Sequence, residues 1–196
     1  MWNLVKCAGS PGRFMRCCLT SILKLALVIL LMAESIPAAD LQPSEYKLKA
    51  AFIFHFSQFV DWPSNCFANN KAPFVIGVLG KNPFGAELEQ TIHGKLVGSR
   101  PLAVVEFASL AEATNNCHIL FISSSEEPKL PEIVSGLNGL NILTVSEVDN
   151  FGEAGGMIHF VREGTKIRFR VNEGAAVRSG LKISAKLLSL ASHTAH

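Results

Sequence analysis

The sequence predicts an α/β fold: a single domain with a mixed, mostly parallel sheet of about six strands, flanked by helices and ending in a C-terminal β-hairpin and a final helix. Short apolar runs alternate with helix-like segments at steps of about 20 to 25 residues, as in a parallel sheet with crossover helices. Near the end, two runs alternate apolar and polar residues, which is typical of an antiparallel hairpin with one buried face.

The first helix is predicted within residues 43–63, PSEYKLKAAFIFHFSQFVDWP. Leu48, Phe52, Phe56 and Phe59 recur at steps of three and four residues, which gives the helix an aromatic face. Apolar runs then predict four strands, at 73–80, 100–107, 117–123 and 140–146, of which the first and third are expected to be buried. Helical segments are predicted between them at 82–94, 109–114 and 126–139.

The hairpin is predicted from residues 156–162 and 165–171, GMIHFVR and TKIRFRV, joined by a turn at Gly164. Its start carries the pair Gly155-Gly156. Because a strand follows the pair, no helix N-terminus is placed to aim amide groups at a phosphate. We therefore expect the pair to supply positive φ or a close backbone approach.

A last helix is predicted within residues 172–191, with Asn172 as its N-cap and Glu173 in its first turn.

Residues 1–39 are predicted to be a cleaved signal peptide, so that residues 40–196 would be exported as one domain. A basic start precedes an apolar core at about Leu25–Met32, and small residues follow at Ala38 and Ala39. The core is shorter than the ~20 residues of a membrane-spanning helix, although an uncleaved anchor is the alternative. The exported chain would keep 14 basic and 15 acidic residues, and a net charge of −1 predicts no nucleic-acid partner.

Two cysteines, Cys66 and Cys117, remain in the exported chain. They allow one disulfide or two free buried thiols, and an oxidising compartment favours the disulfide.

No catalytic or metal-binding pattern stands out, so the sequence predicts neither an enzyme nor a bound metal or cofactor. The six histidines are scattered without metal-ligand spacing, and no GxSxG motif is present. The strongest enzyme-like stretch is GVLGKNPFG, residues 77–85, yet its glycine spacing fits neither phosphate-loop pattern. His118 could activate the adjacent Cys117 thiol, but a disulfide would consume that thiol.

An alternative function is a periplasmic small-ligand receptor, or an enzyme, with a groove at the carboxyl ends of the strands. Gly80 and Ser123–Ser125 lie at such ends, where open α/β sheets bind ligands. The serines are equally consistent with an ordinary helix N-cap.

Five segments, taken in order, resemble the YfiR family of periplasmic regulators over about Tyr46 to Ala191. They are YKLKAAFIFHFSQFVDWP, FVIGVLGKNPFG, CHILFIS, ILTVSEVDNFGEAGGMIHFV and RFRVNEGAAVRSGLKISAKLLSLA. The resemblance implies one α/β domain that dimerises and has no catalytic centre. It further implies binding to the periplasmic domain of an inner-membrane diguanylate cyclase, which is thereby repressed, and control of cyclic-di-GMP and biofilm formation. An OmpA-like outer-membrane lipoprotein would sequester the regulator.

By the same resemblance, Cys117 matches a family cysteine and Cys66 is its expected partner. Relatives with a second cysteine pair carry it around DNFGEAGG, and this chain has no cysteine there.

We expect the partner-binding surface to lie around the hairpin and the last helix. That part of the sequence combines an irregular loop with closely spaced arginines, a residue type enriched at interfaces. A solvated cationic face is the other interpretation. The residues expected to contribute are Phe151, Glu153, Arg168, Arg170 and Arg178.

Overall fold

A computed structural model describes residues 45–69 and 71–192, and the predicted signal peptide at residues 1–39 lies outside them. The described residues fall within one unit that runs from Pro43 to His196. No helix in this part of the chain is long and apolar enough to cross a bilayer.

The helices and strands follow the predicted order. The helices are α1 (Glu45–Phe59), α2 (Glu87–Ile92), α3 (Leu110–Ala113), α4 (Leu130–Leu137), α5 (Glu173–Arg178) and α6 (Ala185–Leu190). The strands are β1 (Val60–Asp61), β2 (Phe74–Leu79), β3 (Leu96–Val97), β4 (Arg100–Phe107), β5 (Ile119–Ile122), β6 (Leu143–Ser146), β7 (Ile158–Glu163), β8 (Lys166–Val171) and β9 (Lys182–Ile183). Short 3-10 turns occupy Ser64–Cys66 and Ser124–Lys129.

Seven strands form the main sheet in the order β3-β4-β2-β5-β6-β7-β8. The five central strands are parallel, and the edge strands β3 and β8 are antiparallel to their neighbours. The α/β fold with a mostly parallel sheet and a C-terminal hairpin is therefore confirmed. The two-residue strands β3, β1 and β9 were not predicted, because two residues are too few to show a period.

Helices cover both faces of the sheet. On one face α1 packs its aromatic side against the sheet, and Phe52 and Phe56 contact the hairpin residues Phe160 and Phe169. On the other face α3 and α4 cover the centre of the sheet, with Leu120 and several leucine and isoleucine side chains in a second core. These two layers leave the hairpin covered by α1 on one side only, and the residues on its opposite side are exposed or half-buried.

The predicted last helix is interrupted. Helix α5 ends at Arg178, Gly180 takes φ +70°, and the chain then forms β9, which pairs with β1, before α6 begins. The left-handed φ at Gly180 breaks the helix, since such a conformation is accessible mainly to glycine. Asn172 does cap α5 as predicted: its Oδ1 accepts the Ala175 N–H at 3.0 Å.

Candidate functional site

A groove of about 1600 Å³ lies beside the hairpin and is the main candidate site. Its walls come from β7 and β8, the loop 147–156, the start of α1, and α5 with the residues after α6. Glu147 and Asp149 reach it because they directly follow β6, at the carboxyl end of a parallel strand. That end of a strand is where open α/β sheets place their binding residues.

One wall of the groove holds a cluster of charges around a buried lysine. Lys49 is only 3% exposed, and its Nζ contacts the carboxylates of Glu45 and Glu147. Glu45 also pairs with Arg162 of β7, and the Tyr46 hydroxyl donates to Glu147 Oε1 at 3.2 Å. The cluster therefore ties α1 to both the end of β6 and the hairpin.

The cluster shifts the acid–base equilibria of its members. Burial opposes the charged form of Lys49, but hydrogen bonds to Glu147 and Glu45 outweigh it and raise the pKa of Lys49. For Glu45, burial favours the neutral acid, yet hydrogen bonds from Lys49 and Arg162 lower its pKa overall. Burial and the negative charge of Glu147 raise the pKa of Tyr46. Lys49 and Glu45 are thus both held in their ionised forms.

His159 lies in the groove opposite Arg170 in the β7–β8 register. Burial lowers its pKa and the Arg170 charge lowers it further, while Asp149 acts in the opposite direction. The imidazole is therefore held in its neutral form more strongly than a free histidine.

The predicted partner-binding residues lie in different places in the structure, some in or beside the groove and one in a second cavity. Glu153 and Arg170 both line the groove, and Arg168 is exposed on the same strand as Arg170, with its Nε 3.9 Å from Glu163 Oε2. Arg178 is exposed but lines a separate cavity of about 280 Å³ between α4 and α5.

The expectation that Phe151 offers a contact surface is wrong, because its side chain is 0% exposed. The ring fills the second core and lies against the backbone of Gly156, where a Cβ would come within 2.3 Å of Phe151 Cε1. The preceding Gly155 takes φ +99°. Both roles expected of the glycine pair, positive φ and close approach, are confirmed.

Sequence reasoning missed Lys49, Glu147 and His159. Glu45 and Lys49 are four residues apart on a helix, which hints at an ion pair. The third member, Glu147, is distant in sequence, so the burial of Lys49 was not predictable from local spacing.

The predicted disulfide is absent from the structure, in which Cys66 and Cys117 are both free. Cys117 packs into the second core and its Sγ lies 3.3 Å from the Ala113 carbonyl oxygen. Cys66 is half-buried and precedes Phe67, which packs against the core between α1 and the sheet. Cys117 therefore packs on the other face of the sheet from the residue that follows Cys66.

His118 does not activate the Cys117 thiol. Cys117 packs into the second core, whereas His118 stacks between Phe67 and Phe74 on the α1 side of the sheet, at centroid distances of 4.6 and 4.8 Å. Its Nδ1 accepts the Val75 N–H at 3.0 Å. Burial raises the pKa of Cys117 to about 12, which makes it a poor nucleophile at neutral pH.

The strand-end corner at Gly80 is closed by the protein's own side chains. Gly80 takes φ +86°, and a Cβ there would come within 2.5 Å of Ser125 Oγ. Ser125 Oγ accepts the Lys81 N–H at 2.9 Å, and Ser123 caps the 3-10 turn that follows β5. The N-cap interpretation is therefore confirmed for Ser123 alone, which caps the 3-10 turn and not α4. In the part of the chain that the structure describes, no group of three or more His, Cys, Asp or Glu residues could hold a metal ion.

Comparison with known protein families matches residues 46–192, about three quarters of the chain, to the family described as YfiR/HmsC-like. A search of curated proteins finds no match. The match spans α1, the whole sheet and the groove beside the hairpin. The chain therefore belongs to the YfiR/HmsC-like family, whose members are periplasmic regulators in the cyclic-di-GMP pathway.

Proposed function

We propose that this protein binds the periplasmic domain of an inner-membrane diguanylate cyclase and represses it, which lowers cyclic-di-GMP and restrains biofilm formation. The observation that carries the proposal is the family match over residues 46–192. In this proposal residues 1–39 are removed on export, residues 40–196 act as one domain, and the protein has no catalytic activity of its own.

The hairpin surface is the proposed contact. Arg168 and Arg170 project from the side of the hairpin that lies opposite α1, and both are exposed. Arginine combines a planar set of donors with an apolar stem, so it pairs well with carboxylates at interfaces. Glu153 contributes from the facing loop and Arg178 from the neighbouring cavity, whereas Phe151 acts from inside by fixing the loop.

Gene deletion tests the regulatory function. Loss of the protein is expected to raise cellular cyclic-di-GMP, and re-expression of residues 1–196 is expected to restore the starting level. An unchanged cyclic-di-GMP level under several growth conditions would contradict repression of a cyclase.

Charge reversal tests the surface. Arg170→Glu is expected to weaken capture of the cyclase's periplasmic domain strongly, and Arg178→Glu more weakly, because Arg178 lies outside the groove. Lys71→Glu is the matched control: Lys71 is exposed just before β2, three strands away from the hairpin. Full capture by the Arg170→Glu protein would refute this placement of the surface.

Two further parts of the proposal concern assembly. The protein is a homodimer, which light scattering coupled to size-exclusion chromatography tests directly. An OmpA-like outer-membrane lipoprotein competes for the hairpin surface, so adding it should release the captured cyclase domain. Simultaneous binding of both partners would rule out competition.

A second candidate function is small-ligand reception. Pockets that bind small molecules occupy about 300–1,000 Å³, so the groove of about 1600 Å³ has room for such a ligand. A thermal-shift screen with nucleotides and metabolites tests it, since a ligand that binds only the folded state raises the melting temperature. A panel without any stabilising compound would count against reception.

A further inference from the structure

Strand β8 is an edge of the main sheet, and half of its backbone groups point away from it. The Asn172 N–H donates to the Met157 carbonyl, which makes this pair hydrogen-bonded in the β7–β8 ladder. Hydrogen-bonded and non-hydrogen-bonded pairs alternate along an antiparallel ladder. The N–H and C=O groups of Ile167, Phe169 and Val171 therefore point outward from the edge.

Most of these outward groups have no backbone partner among residues 45–69 and 71–192. Of the six, only the Phe169 carbonyl accepts a backbone hydrogen bond from the described residues, from the Ser192 N–H at 2.8 Å. Ile167 and Val171 also line the groove. An unpaired strand edge beside an open groove is a template for another strand.

The side chains of β8 indicate which strand would fit. Lys166, Arg168 and Arg170 alternate along it and are all exposed, about 6.8 Å apart from one to the next. Within the described residues Lys166 and Arg170 form no ion pair, and Arg168 makes only the distant contact with Glu163. Opposite charges directly across two strands stabilise the pairing.

We propose that the edge of β8 binds an extended segment of the partner by antiparallel strand addition, and that this segment carries an acidic residue at every second position. This rests on the proposed function, with the cyclase's periplasmic domain as the partner. The acidic side chains lie opposite Lys166, Arg168 and Arg170. The residues between them exchange backbone hydrogen bonds with Ile167, Phe169 and Val171, replacing the single bond from Ser192.

A synthetic peptide tests the pairing chemistry. The probe is a fluorescein-labelled peptide in which three glutamates alternate with valines, and its binding to the chain from residue 40 is measured by fluorescence anisotropy. We expect binding to weaken about tenfold with Arg168→Glu, because one attractive pair becomes repulsive. A peptide of the same composition with its three glutamates adjacent should bind no better than one with lysines in their place. Equal binding of the alternating and adjacent peptides would overturn the proposal.

N-methylation tests the backbone register. In the proposed pairing the valine N–H groups face β8 and the glutamate N–H groups face away. N-methylation of the valines is therefore expected to abolish binding, whereas N-methylation of the glutamates leaves it within about twofold. The opposite result, or no effect of either change, would refute antiparallel addition at this edge.

Variants at Val171 separate this inference from the proposed function. Val171→Pro removes an outward N–H and places a ring at the edge, and Val171→Ala shortens the side chain but keeps the N–H. We expect only the Val171→Pro variant to fail to capture the cyclase domain in a pull-down. The comparison uses variants whose melting temperatures agree within a few degrees, so that both are folded. If the wild type captures the domain and Val171→Pro captures it equally, strand addition is wrong and the proposed function stands. If the wild type captures no cyclase domain, the proposed function itself fails.

Discussion

Replacing Lys49 by methionine should destabilise the fold substantially, because the carboxylates of Glu45 and Glu147 remain in place without their shared cation. Removing one partner of a fully buried ion pair costs about 3–5 kcal/mol. Glu147 is 16% exposed and Glu45 29%, so water can partly rehydrate both after the change. The expected loss is therefore about 2–4 kcal/mol. Methionine retains most of the apolar stem of lysine, so lost packing adds little.

Urea denaturation of the chain from residue 40 measures this loss. If the free energy of unfolding depends on urea concentration with the same slope in both proteins, the change in the urea concentration at half-unfolding reports the change in that free energy. The melting temperature should fall by about 5–15 °C for a domain of this size. Lys71→Met is the control, because an exposed loop lysine is expected to change stability by less than about 0.5 kcal/mol.

A double substitution tests the electrostatic cause. Glu147→Gln alone removes one carboxylate, and combined with Lys49→Met it should cost less than the sum of the single losses. Strict additivity, or a Lys49→Met loss below about 0.5 kcal/mol, would refute the interpretation of the cluster as a coupled buried network.

Three other changes address separate features of the fold. Gly156→Ala should cost about 1–3 kcal/mol in a urea titration because its Cβ would overlap a buried ring, whereas Gly152→Ala, with no atom within 4 Å of its Cβ, should be near neutral. Thiol titration of unreduced, denatured chain from residue 40 should find both Cys66 and Cys117 reactive, and a count of zero would restore the disulfide. Burial lowers the pKa of His118 below 6.5, so the unfolded chain binds a proton at this histidine more readily than the folded chain. The melting temperature should therefore fall as the pH drops through 6.5. In the His118→Asn variant the melting temperature should depend less on pH over the same range.

The sequence was sufficient for the order of the longer helices and strands because β2 and β5 are uninterrupted apolar runs and the hairpin alternates cleanly. Periodicity reports which residues are apolar, but it does not report which side of the sheet a loop approaches. The sequence pattern therefore gave no sign that Cys66 and Cys117 are both free in the structure, with Cys117 buried in the second core.

The candidate site was predictable in part. Arg168 and Arg170 were placed correctly on the hairpin because alternation alone identifies its exposed face. Phe151 was misplaced, since its burial depends on a close approach to Gly156 that no local pattern reveals. Lys49 was missed because its partner Glu147 is 98 residues away.

The loop 147–156 is anchored at several points by contacts that involve no cysteine. Its first residue, Glu147, is held by Lys49, and its middle is held by the buried Phe151 ring. The Ala154 and Gly156 N–H groups donate to the carbonyls of Asn150 and Phe151 at 2.9 Å each, so the loop also satisfies part of its own backbone. Side-chain packing and ion pairs thus replace the cysteine pair that the resemblance led us to look for. Hydrogen exchange of this loop should therefore be the same with and without reductant, and faster in Lys49→Met. Exchange that accelerates with reductant alone would show that thiol chemistry holds the loop after all.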